Sequence, residues 1–282
     1  MSSTLNLDAV VATLCQQSGF EFRGLLGQGA FKRVYLAVHQ GTPFALKIAA
    51  VVGGADRFIR EVVALKDCSH PSIAKLYQSF GYDHGGHQFW IVYEEHLAGG
   101  TLEAGLKQWQ ITPASVRHVG LGLADALAHL HDKRLVHRDI KPANIMFRGG
   151  QDTRPVLTDF GIVRMLDQPT LTHAFMQMGP GTPAYAAPEQ LNNDKTLIDW
   201  RTDQFGLSVV LAECLLGHHP WLVAGKSIHD AIVAVASRQE MPEVNAQRLH
   251  QAGFSSLTYA LRPWPIARYR RPSDFIDALQ RN

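Results

Sequence analysis

The spacing of the apolar residues changes near residue 98, and this change constrains the fold more than any other feature of the sequence. Before it, short β-rich stretches separated by turn residues predict strands over 20–26, 31–38, 43–48, 73–80 and 87–93. The first three are joined by tight turns and are expected to pair antiparallel. Between the third and fourth strands, apolar Phe58, Val62 and Leu65 recur at spacings of four and three, which predicts a helix over 55–67.

After residue 98 the pattern becomes helical. The segment 113–131 begins at Thr112-Pro113, a favourable helix start, and carries a stripe of apolar residues. Further helices are predicted over 203–216, 227–238, 254–261 and 272–280. We therefore predict an α+β chain. Its parts are a helix over 1–19, a small mainly-β half with one helix over 20–94, a hinge over 95–98 and a larger α-helical half over 99–282.

Composition excludes several classes of function. The formal net charge is +2, too small an excess to imply a nucleic-acid or membrane partner. The three cysteines form no CxxC pair, so neither a disulfide framework nor a zinc site is expected. The longest apolar stretch, 205–217, falls well short of the roughly 20 residues that a membrane span needs. The N-terminus lacks the basic region of a secretory signal. These features predict a soluble, cytoplasmic protein.

Two features of the β-rich half bear on phosphate binding. Gly27 and Gly29 lie between two predicted strands, where backbone N–H groups could approach a phosphate, although such a pair is more often a simple turn. Lys47 lies on the third predicted strand among apolar residues, so its ammonium must reach the surface or be paired. Glu61 on the following helix is a suitable partner. Taken alone, this pair is as readily structural as catalytic.

The segment 137–144, His-Arg-Asp-Ile-Lys-Pro-Ala-Asn, carries more specific chemistry. Asp139 can orient and deprotonate a hydroxyl, Lys141 can neutralise a phosphoryl group in transfer, and Asn144 can hold a metal ion. Fifteen residues after Asn144, Asp159 supplies a second metal-binding group. Asn144 and Asp159 offer hard oxygen ligands, which suit Mg²⁺ when it bridges phosphates.

In order along nearly the whole chain, from residue 20 to 279, these motifs resemble those of the eukaryotic-type (Hanks-type) serine/threonine protein kinase family, in its bacterial-like form. The resemblance implies the bilobal protein kinase fold, with the β-rich half as N-lobe and the helical half as C-lobe. It assigns catalysis to Asp139, Lys141, Lys47 and Glu61, and metal binding to Asn144 and Asp159. The implied nucleotide contacts are Leu26, Gly27, Gly29, Val34, Ala45, Lys47, Glu94, His96 and Met146.

The resemblance also covers residues that position or regulate such a site. Tyr93 matches the position that guards the pocket behind the adenine, and Asp203 matches the aspartate that anchors the catalytic loop. Thr182 and Glu189 match the end of the activation segment. Arg271 matches the arginine expected to pair with Glu189. A pocket for a regulatory phosphate would be formed by Arg57, Arg138 and Arg164.

The phosphate acceptor for that pocket stays open at this point. The family's usual acceptor lies a few residues before Thr182, where this chain has Met176-Gln177-Met178 and no hydroxyl. Thr170 and Thr172 are the candidates, and they lie ten to twelve residues before Thr182. Either the segment loops back so that one of them reaches the pocket, or something other than phosphate fills the pocket and the enzyme is constitutively active.

Lys141 and Thr182-Pro183 are typical of the serine/threonine type. The resemblance therefore implies transfer of the γ-phosphoryl group of ATP to protein Ser or Thr hydroxyls, with Mg²⁺ or Mn²⁺ as cofactor. The implied partners are ATP, a protein substrate and, for trans-autophosphorylation, a transient homodimer, with no nucleic acid and no membrane within this chain. Two alternatives are a pseudokinase scaffold and a kinase that acts on a small molecule. The complete catalytic set argues against the scaffold.

Overall fold

A computed structural model of the protein describes residues 6–28, 32–50, 66, 68–149, 152–159 and 183–281. The chain forms two compact units. The first contains the described residues up to Ser69 together with Ala74–Ala98, and the second contains His70–Ile73 and the described residues from 99 onward. The first is mainly β and the second mainly helical, so the predicted α+β fold class is confirmed. The predicted helix over 55–67 lies outside the described residues except for residue 66.

The first unit is built on a five-stranded antiparallel sheet. Its strands are β1 (Glu21–Gln28), β2 (Lys32–His39), β3 (Thr42–Ala50), β4 (Leu76–His84) and β5 (His87–Glu95). Their order across the sheet is β1-β2-β3-β5-β4. All five predicted strands are present, but β4 begins three residues later than predicted, at Leu76. Ile73 instead forms an isolated parallel bridge with Leu157 in the second unit.

Helix α1 (Leu7–Gln17) covers one face of this sheet. Asn6 caps it, since its side chain accepts hydrogen bonds from the backbone N–H groups of Asp8 and Ala9. Its apolar side packs on alternate sheet residues, and together they form one buried cluster. The cluster contains Val10, Val11, Leu14, Cys15, Tyr35, Ala37, Leu46, Ile48, Phe89, Ile91 and Tyr93. Because side chains alternate along a strand, the residues between these belong to the opposite face.

The second unit consists of helices and one hairpin. The helices are α2 (Leu102–Gln108), α3 (Pro113–Asp132), α4 (Pro188–Leu191), α5 (Trp200–Leu216), α6 (Ile228–Ala236), α7 (Glu243–Gln251), α8 (Ser255–Ala260) and α9 (Pro272–Gln280). The hairpin is β6 (Ile145–Gly149) with β7 (Asp152–Leu157). The sequence analysis did not predict α2, α4, α7 or the hairpin. Helix α7 buries only Asn245 and Leu249, so it has no apolar stripe from which the sequence could predict it.

Helices α3 and α5 form the centre of the second unit. Thr112 and Ser115 make a reciprocal capping box at the start of α3, and Val116, Leu123 and Leu130 face inward from it. Helix α5 is buried on nearly all sides and ends at Gly217, whose φ of 77° is a left-handed cap that glycine adopts without strain. Within the described ranges, no helix has the length and apolar character needed to cross a lipid bilayer.

Candidate active site

The residues predicted to form the site fall into two sets, one on each unit. Lys47 and the expected nucleotide contacts up to His96 lie in the first unit, whereas Met146 and the residues of the catalytic loop lie in the second. Seven predicted residues lie outside the described part of the chain. They are Gly29, Arg57, Glu61, Arg164, Thr170, Thr172 and Thr182.

The face of the sheet away from α1 carries several of the predicted nucleotide contacts. Val34 on β2 lies directly opposite Lys47 on β3, and Lys47 lies opposite Val92 on β5. Two residues before Lys47 on β3, Ala45 lies opposite Glu94. Since directly opposed residues share a face, these five side chains form one patch on the side of the sheet away from α1. The strand register thus brings together Val34, Ala45, Lys47 and Glu94, four of the residues that the family resemblance assigns to nucleotide binding.

The ammonium of Lys47 is paired on this face with the carboxylate of Glu94, since Lys47 Nζ donates to Glu94 Oε2. The two side chains are 12% and 4% exposed. The predicted partner, Glu61, lies outside the described residues. Of the remaining contacts, Gly27 lies opposite Val34 in the β1–β2 register, Leu26 is exposed, and His96 is half-buried beyond the end of β5.

The predicted position of Tyr93 is wrong. Its ring belongs to the cluster under α1 and stacks on Phe20 at a centroid distance of 4.7 Å and on Phe80 at 6.1 Å. Tyr93 therefore points to the face of the sheet that α1 covers, whereas Lys47 points to the other face. Glu94, one residue later, occupies the position beside Lys47. A shift of one residue exchanges the two faces of a strand, and only the pairing of β5 with β3 fixes which residue faces which side.

In the second unit, Asp139 is held from several directions. Lys141 Nζ lies 3.0 Å from Asp139 Oδ2. Asn144 Nδ2 donates to the same oxygen at 2.9 Å and to the Asp139 carbonyl at 2.7 Å. The Asp139 side chain is 16% exposed. The carboxylate is therefore oriented by a cation and an amide, and it retains solvent access, as a general base that receives a substrate hydroxyl requires.

His137 braces this loop as a neutral side chain. Its Nε2 lies 2.9 Å from the carbonyl of Thr158, so this nitrogen is the N–H donor. Its Nδ1 accepts a hydrogen bond of 3.2 Å from the Asp139 backbone N–H. Burial lowers the pKa of His137 to about 4, because a charged imidazole would lose its hydration. The two contacts and the pKa agree on a single neutral tautomer.

Asp203 on α5 anchors the same loop, as predicted. It is buried and accepts the backbone N–H of His137 at 2.6 Å and that of Arg138 at 2.7 Å. Burial raises its pKa to about 7, while the two backbone hydrogen bonds act in the opposite direction. Arg138 has a φ of 67°, a left-handed conformation that is uncommon outside glycine. The hydrogen bonds to Asp203 hold it there.

The β6–β7 hairpin explains the fifteen-residue spacing between Asn144 and Asp159. Ile145 at its start pairs with Leu157 at its end, and Thr158 N donates to the carbonyl of Asn144 at 2.9 Å. The two predicted metal ligands therefore flank the open end of one hairpin, where β6 begins and β7 ends. Asp159 has a φ of 59°, a second left-handed residue at the site. Such strain recurs at functional positions. Met146, a predicted nucleotide contact, is half-buried on β6.

The donor set at this hairpin fits Mg²⁺ better than a metal held by protein ligands alone. Among the described residues no group of three or more His, Cys, Asp or Glu side chains could hold a metal ion. Magnesium is commonly bound by one or two protein oxygens that share the ion with phosphates. Asn144 uses its Nδ2 on Asp139, which leaves the hard oxygen Oδ1 as its donor to a cation. Asp159 adds a carboxylate.

The predicted partner of Glu189 is wrong. Arg268, not Arg271, forms the ion pair, with Nη1 at 2.8 Å from Oε1 and Nη2 at 3.0 Å from Oε2. Both side chains are 0% exposed. Arg271 is 74% exposed and pairs with Asp274 in the first turn of α9. The turn Pro265–Ala267 directs Arg268 inward, whereas Arg271 stands at the N-cap of an exposed helix end.

Three further residues that the sequence analysis missed hold the segment leading into α4. Gln190 Nε2 donates to the Arg138 carbonyl at 2.8 Å, and so ties α4 to the catalytic loop. Tyr185 donates its hydroxyl to Glu213 at 2.7 Å. His219 Nε2 donates to the Ala184 carbonyl at 2.8 Å. Each contact joins residues at least 28 positions apart, so no local sequence signal points to it.

Comparisons with known proteins agree with this arrangement. The family described as "Protein kinase domain" matches residues 20–268. The chain is 32% identical over 272 residues to serine/threonine-protein kinase PknJ of Mycobacterium tuberculosis, covering 93% of this chain and 45% of that protein. It is also 32% identical to PknF of the same species, covering 93% and 56%. The chain thus spans about half the length of the curated relatives it matches.

A solved structure, Rad53 1–466 in complex with AMP-PNP, superposes on 92% of the chain with a TM-score of 0.70 and 22% sequence identity, and 64% of that chain is covered. At this level of identity the likeness concerns the fold alone. It agrees with the small antiparallel sheet of the first unit and the helices of the second.

Proposed function

Because the chain belongs to the protein kinase family, we propose that it is an active serine/threonine protein kinase that transfers the γ-phosphoryl group of ATP to Ser or Thr hydroxyls of a protein. The observation that carries the proposal is the arrangement around Asp139. Lys141 and Asn144 orient its carboxylate, and Asp203 holds the loop from which it projects. A scaffold protein would have no use for this arrangement.

Each residue of the second unit has a distinct task in the proposed reaction. Asp139 orients the attacking hydroxyl and accepts its proton. Lys141, 3.0 Å from Asp139, offsets negative charge on the phosphoryl group in transfer. Asn144 and Asp159 would hold Mg²⁺, which when bound neutralises charge on the phosphates. In the first unit, Lys47 would bind the phosphates, and the apolar residues Val34 and Ala45 would contact the base.

The test of this proposal is Asp139→Asn. We expect turnover to fall by about 10²–10⁴-fold, because the variant lacks the base, while ATP affinity changes little. The assay measures Mg-ATP-dependent phosphorylation of a generic basic protein and nucleotide binding on the same preparations. Asp132→Asn is the matched control, since it removes an exposed carboxylate of the same unit and should leave turnover unchanged.

Two outcomes would contradict the proposal. Turnover of Asp139→Asn within about threefold of the parent would refute the role of Asp139 as base. Equal, negligible turnover in the parent and the variant would favour the pseudokinase alternative. Phosphoamino-acid analysis of the product distinguishes the remaining alternative, because a kinase acting on a small molecule would leave no phosphoserine or phosphothreonine in protein.

The proposal extends to the regulation of the enzyme and to its location in the cell. Autophosphorylation at Thr170 or Thr172, through a transient homodimer, rests on the family resemblance, and of its three arginines only Arg138 lies in the described part of the chain. The cytoplasmic location is supported by the cysteines. The sequence contains three cysteines that form no CxxC pair, which suits a reducing compartment.

A further inference from the structure

The ammonium of Lys47 is required by two negatively charged partners, the carboxylate of Glu94 and, in the proposed function, the phosphates of ATP. The proposed function, on which this inference rests, needs the ammonium of Lys47 for the phosphates of ATP. In the structure that ammonium is bound to a carboxylate of the same sheet face. The carboxylate carries the same sign of charge as the phosphates, so the two anions would compete for one cation.

Glu94 is held in place by its strand. It lies near the end of β5, which is flanked by β3 on one side and by β4 on the other. Its backbone is opposed by Ala45 and by Leu76. A residue in this central position cannot leave the face without breaking the sheet. The backbone of Lys47 is likewise fixed between β2 and β5, but its ammonium sits at the end of a flexible four-carbon stem, longer than that of glutamate, and can be moved by rotation about side-chain bonds.

The pair is also sheltered enough to matter. The side chains of Lys47 and Glu94 are 12% and 4% exposed, so water screens their interaction weakly. The same shelter strengthens repulsion between the Glu94 carboxylate and any phosphate brought near Lys47. When phosphate arrives, Lys47 must therefore loosen its contact with Glu94 or divide its hydrogen bonds between the two anions.

We propose that the carboxylate of Glu94 competes with the phosphates of ATP for Lys47 and thereby weakens nucleotide binding. Glu94 is then a positioning residue that acts through Lys47. Its influence depends on the phosphates of the ligand and not on the base. A nucleoside that carries the base and ribose without phosphate should bind equally well whether or not residue 94 is charged.

The experiment compares Glu94→Gln with the parent in equilibrium binding of ATP, ADP and adenosine. Glutamine keeps the size of the side chain and removes its charge. We expect ATP to bind about tenfold tighter to Glu94→Gln, which corresponds to about 1.4 kcal/mol. ADP should change in the same direction and adenosine should change by less than about twofold. In steady-state assays KM for ATP should fall, with no increase in kcat.

Asp83→Asn is the matched control. Asp83 is an exposed carboxylate on β4, opposite Gln88 at the far end of β5 from Glu94. Its removal changes the net charge of the same sheet by the same amount, and it should leave the affinity for all three ligands unchanged. Glu94→Met is the second variant, because it removes the charge without offering Lys47 a new hydrogen-bond acceptor.

Unchanged or weaker ATP binding in both Glu94 variants would overturn the proposal, and so would an equal gain for adenosine. A gain in Asp83→Asn as large as that in Glu94→Gln would reduce the effect to net charge and would overturn it as well. Failure of the proposed function is recognised separately, because the parent protein would then not phosphorylate protein in the presence of Mg-ATP, whatever its affinity for ATP. ATP binding by the parent, with equal affinity in Glu94→Gln, would reject only the competition.

Discussion

Two sheltered ion pairs among the described residues, Glu189–Arg268 in the second unit and Lys47–Glu94 in the first, are built differently. In the second unit Arg268 uses all five of its N–H groups. Two go to Glu189 and three to the carbonyls of Arg201, Arg262 and Pro263. In the first unit, Lys47 meets Glu94 through a single flexible ammonium. A rigid guanidinium saturated in this way cannot exchange partners, whereas an ammonium on a flexible stem can. The Glu189–Arg268 pair is therefore suited to a structural role, and the Lys47–Glu94 pair to ligand binding.

The Glu189–Arg268 pair is reinforced from both ends. Thr202 donates its hydroxyl to Glu189 Oε1 at 2.9 Å, and the guanidinium of Arg268 lies over the ring of Phe205 at 4.6 Å. The buried guanidinium of Arg268 gives up its hydration, and this lowers its pKa. Protein hydrogen bonds replace it. Removal of either partner would leave a buried charge with no counter-ion.

The largest expected effect on stability is therefore that of Arg268→Ala. We expect the free energy of unfolding to fall by about 3–5 kcal/mol, because the Glu189 carboxylate stays buried without its cation. Arg271→Ala is the matched control, since its side chain is 74% exposed, and it should change stability by less than about 0.5 kcal/mol. Denaturant unfolding of both variants measures the difference. Equal losses in the two would contradict the structural role of Arg268.

The next largest effect on stability is expected from a buried histidine that stays neutral in the folded protein. His219 in the second unit is buried, donates to the Ala184 carbonyl and accepts the Trp221 backbone N–H at 3.2 Å. Burial lowers its pKa to about 4. The unfolded chain therefore binds a proton to this group below pH 6.5 and the folded chain does not, so its contribution to stability is complete above pH 6.5 and is lost between pH 6.5 and 4.

His219→Gln removes this titration and keeps a donor for Ala184. Between pH 7.5 and 5 the parent should lose about 2 kcal/mol more unfolding free energy than the variant. His137 and Asp203 titrate in overlapping pH ranges in both the parent and the variant. Their contributions cancel when the unfolding free energy of one protein is subtracted from that of the other. Unfolding free energies measured at several pH values check it. Parallel pH profiles would mean that His219 is not held neutral by burial.

The smallest effect on stability is expected for Glu94→Gln. Glutamine can still accept a hydrogen bond from Lys47, whose side chain is 12% exposed, so the loss should be about 1–2 kcal/mol. This is less than the loss of about 3–5 kcal/mol expected for Arg268→Ala, although Glu94→Gln is expected to show the larger change in ATP affinity. If Glu94→Gln were destabilised as strongly as Arg268→Ala, the two pairs would have the same role and the comparison would fail.

Much of the fold and of the second unit's site could be predicted from sequence. The alternation of the first half and the apolar stripe of α3 depend only on near neighbours, and the five strands and the helices at Pro113–Asp132 and Pro272–Gln280 agree with prediction. The catalytic segment 137–144 is itself continuous, so its residues are adjacent wherever the chain goes. The family match from 20 to 268 confirms the resemblance that these motifs carry.

The tertiary structure alone decided the two points on which the sequence prediction was wrong. Glu189 and its partner are 79 residues apart, and four arginines stand between 262 and 271, so the path of the chain through the turn Pro265–Ala267 selects Arg268. Tyr93 and Glu94 are consecutive residues whose side chains point to opposite faces of the sheet. Only the register of β5 on β3 determines that Glu94, and not Tyr93, lies beside Lys47. Sequence determines what lies close along the chain. Partners distant along the chain are determined by packing and register, which depend on the whole unit at once.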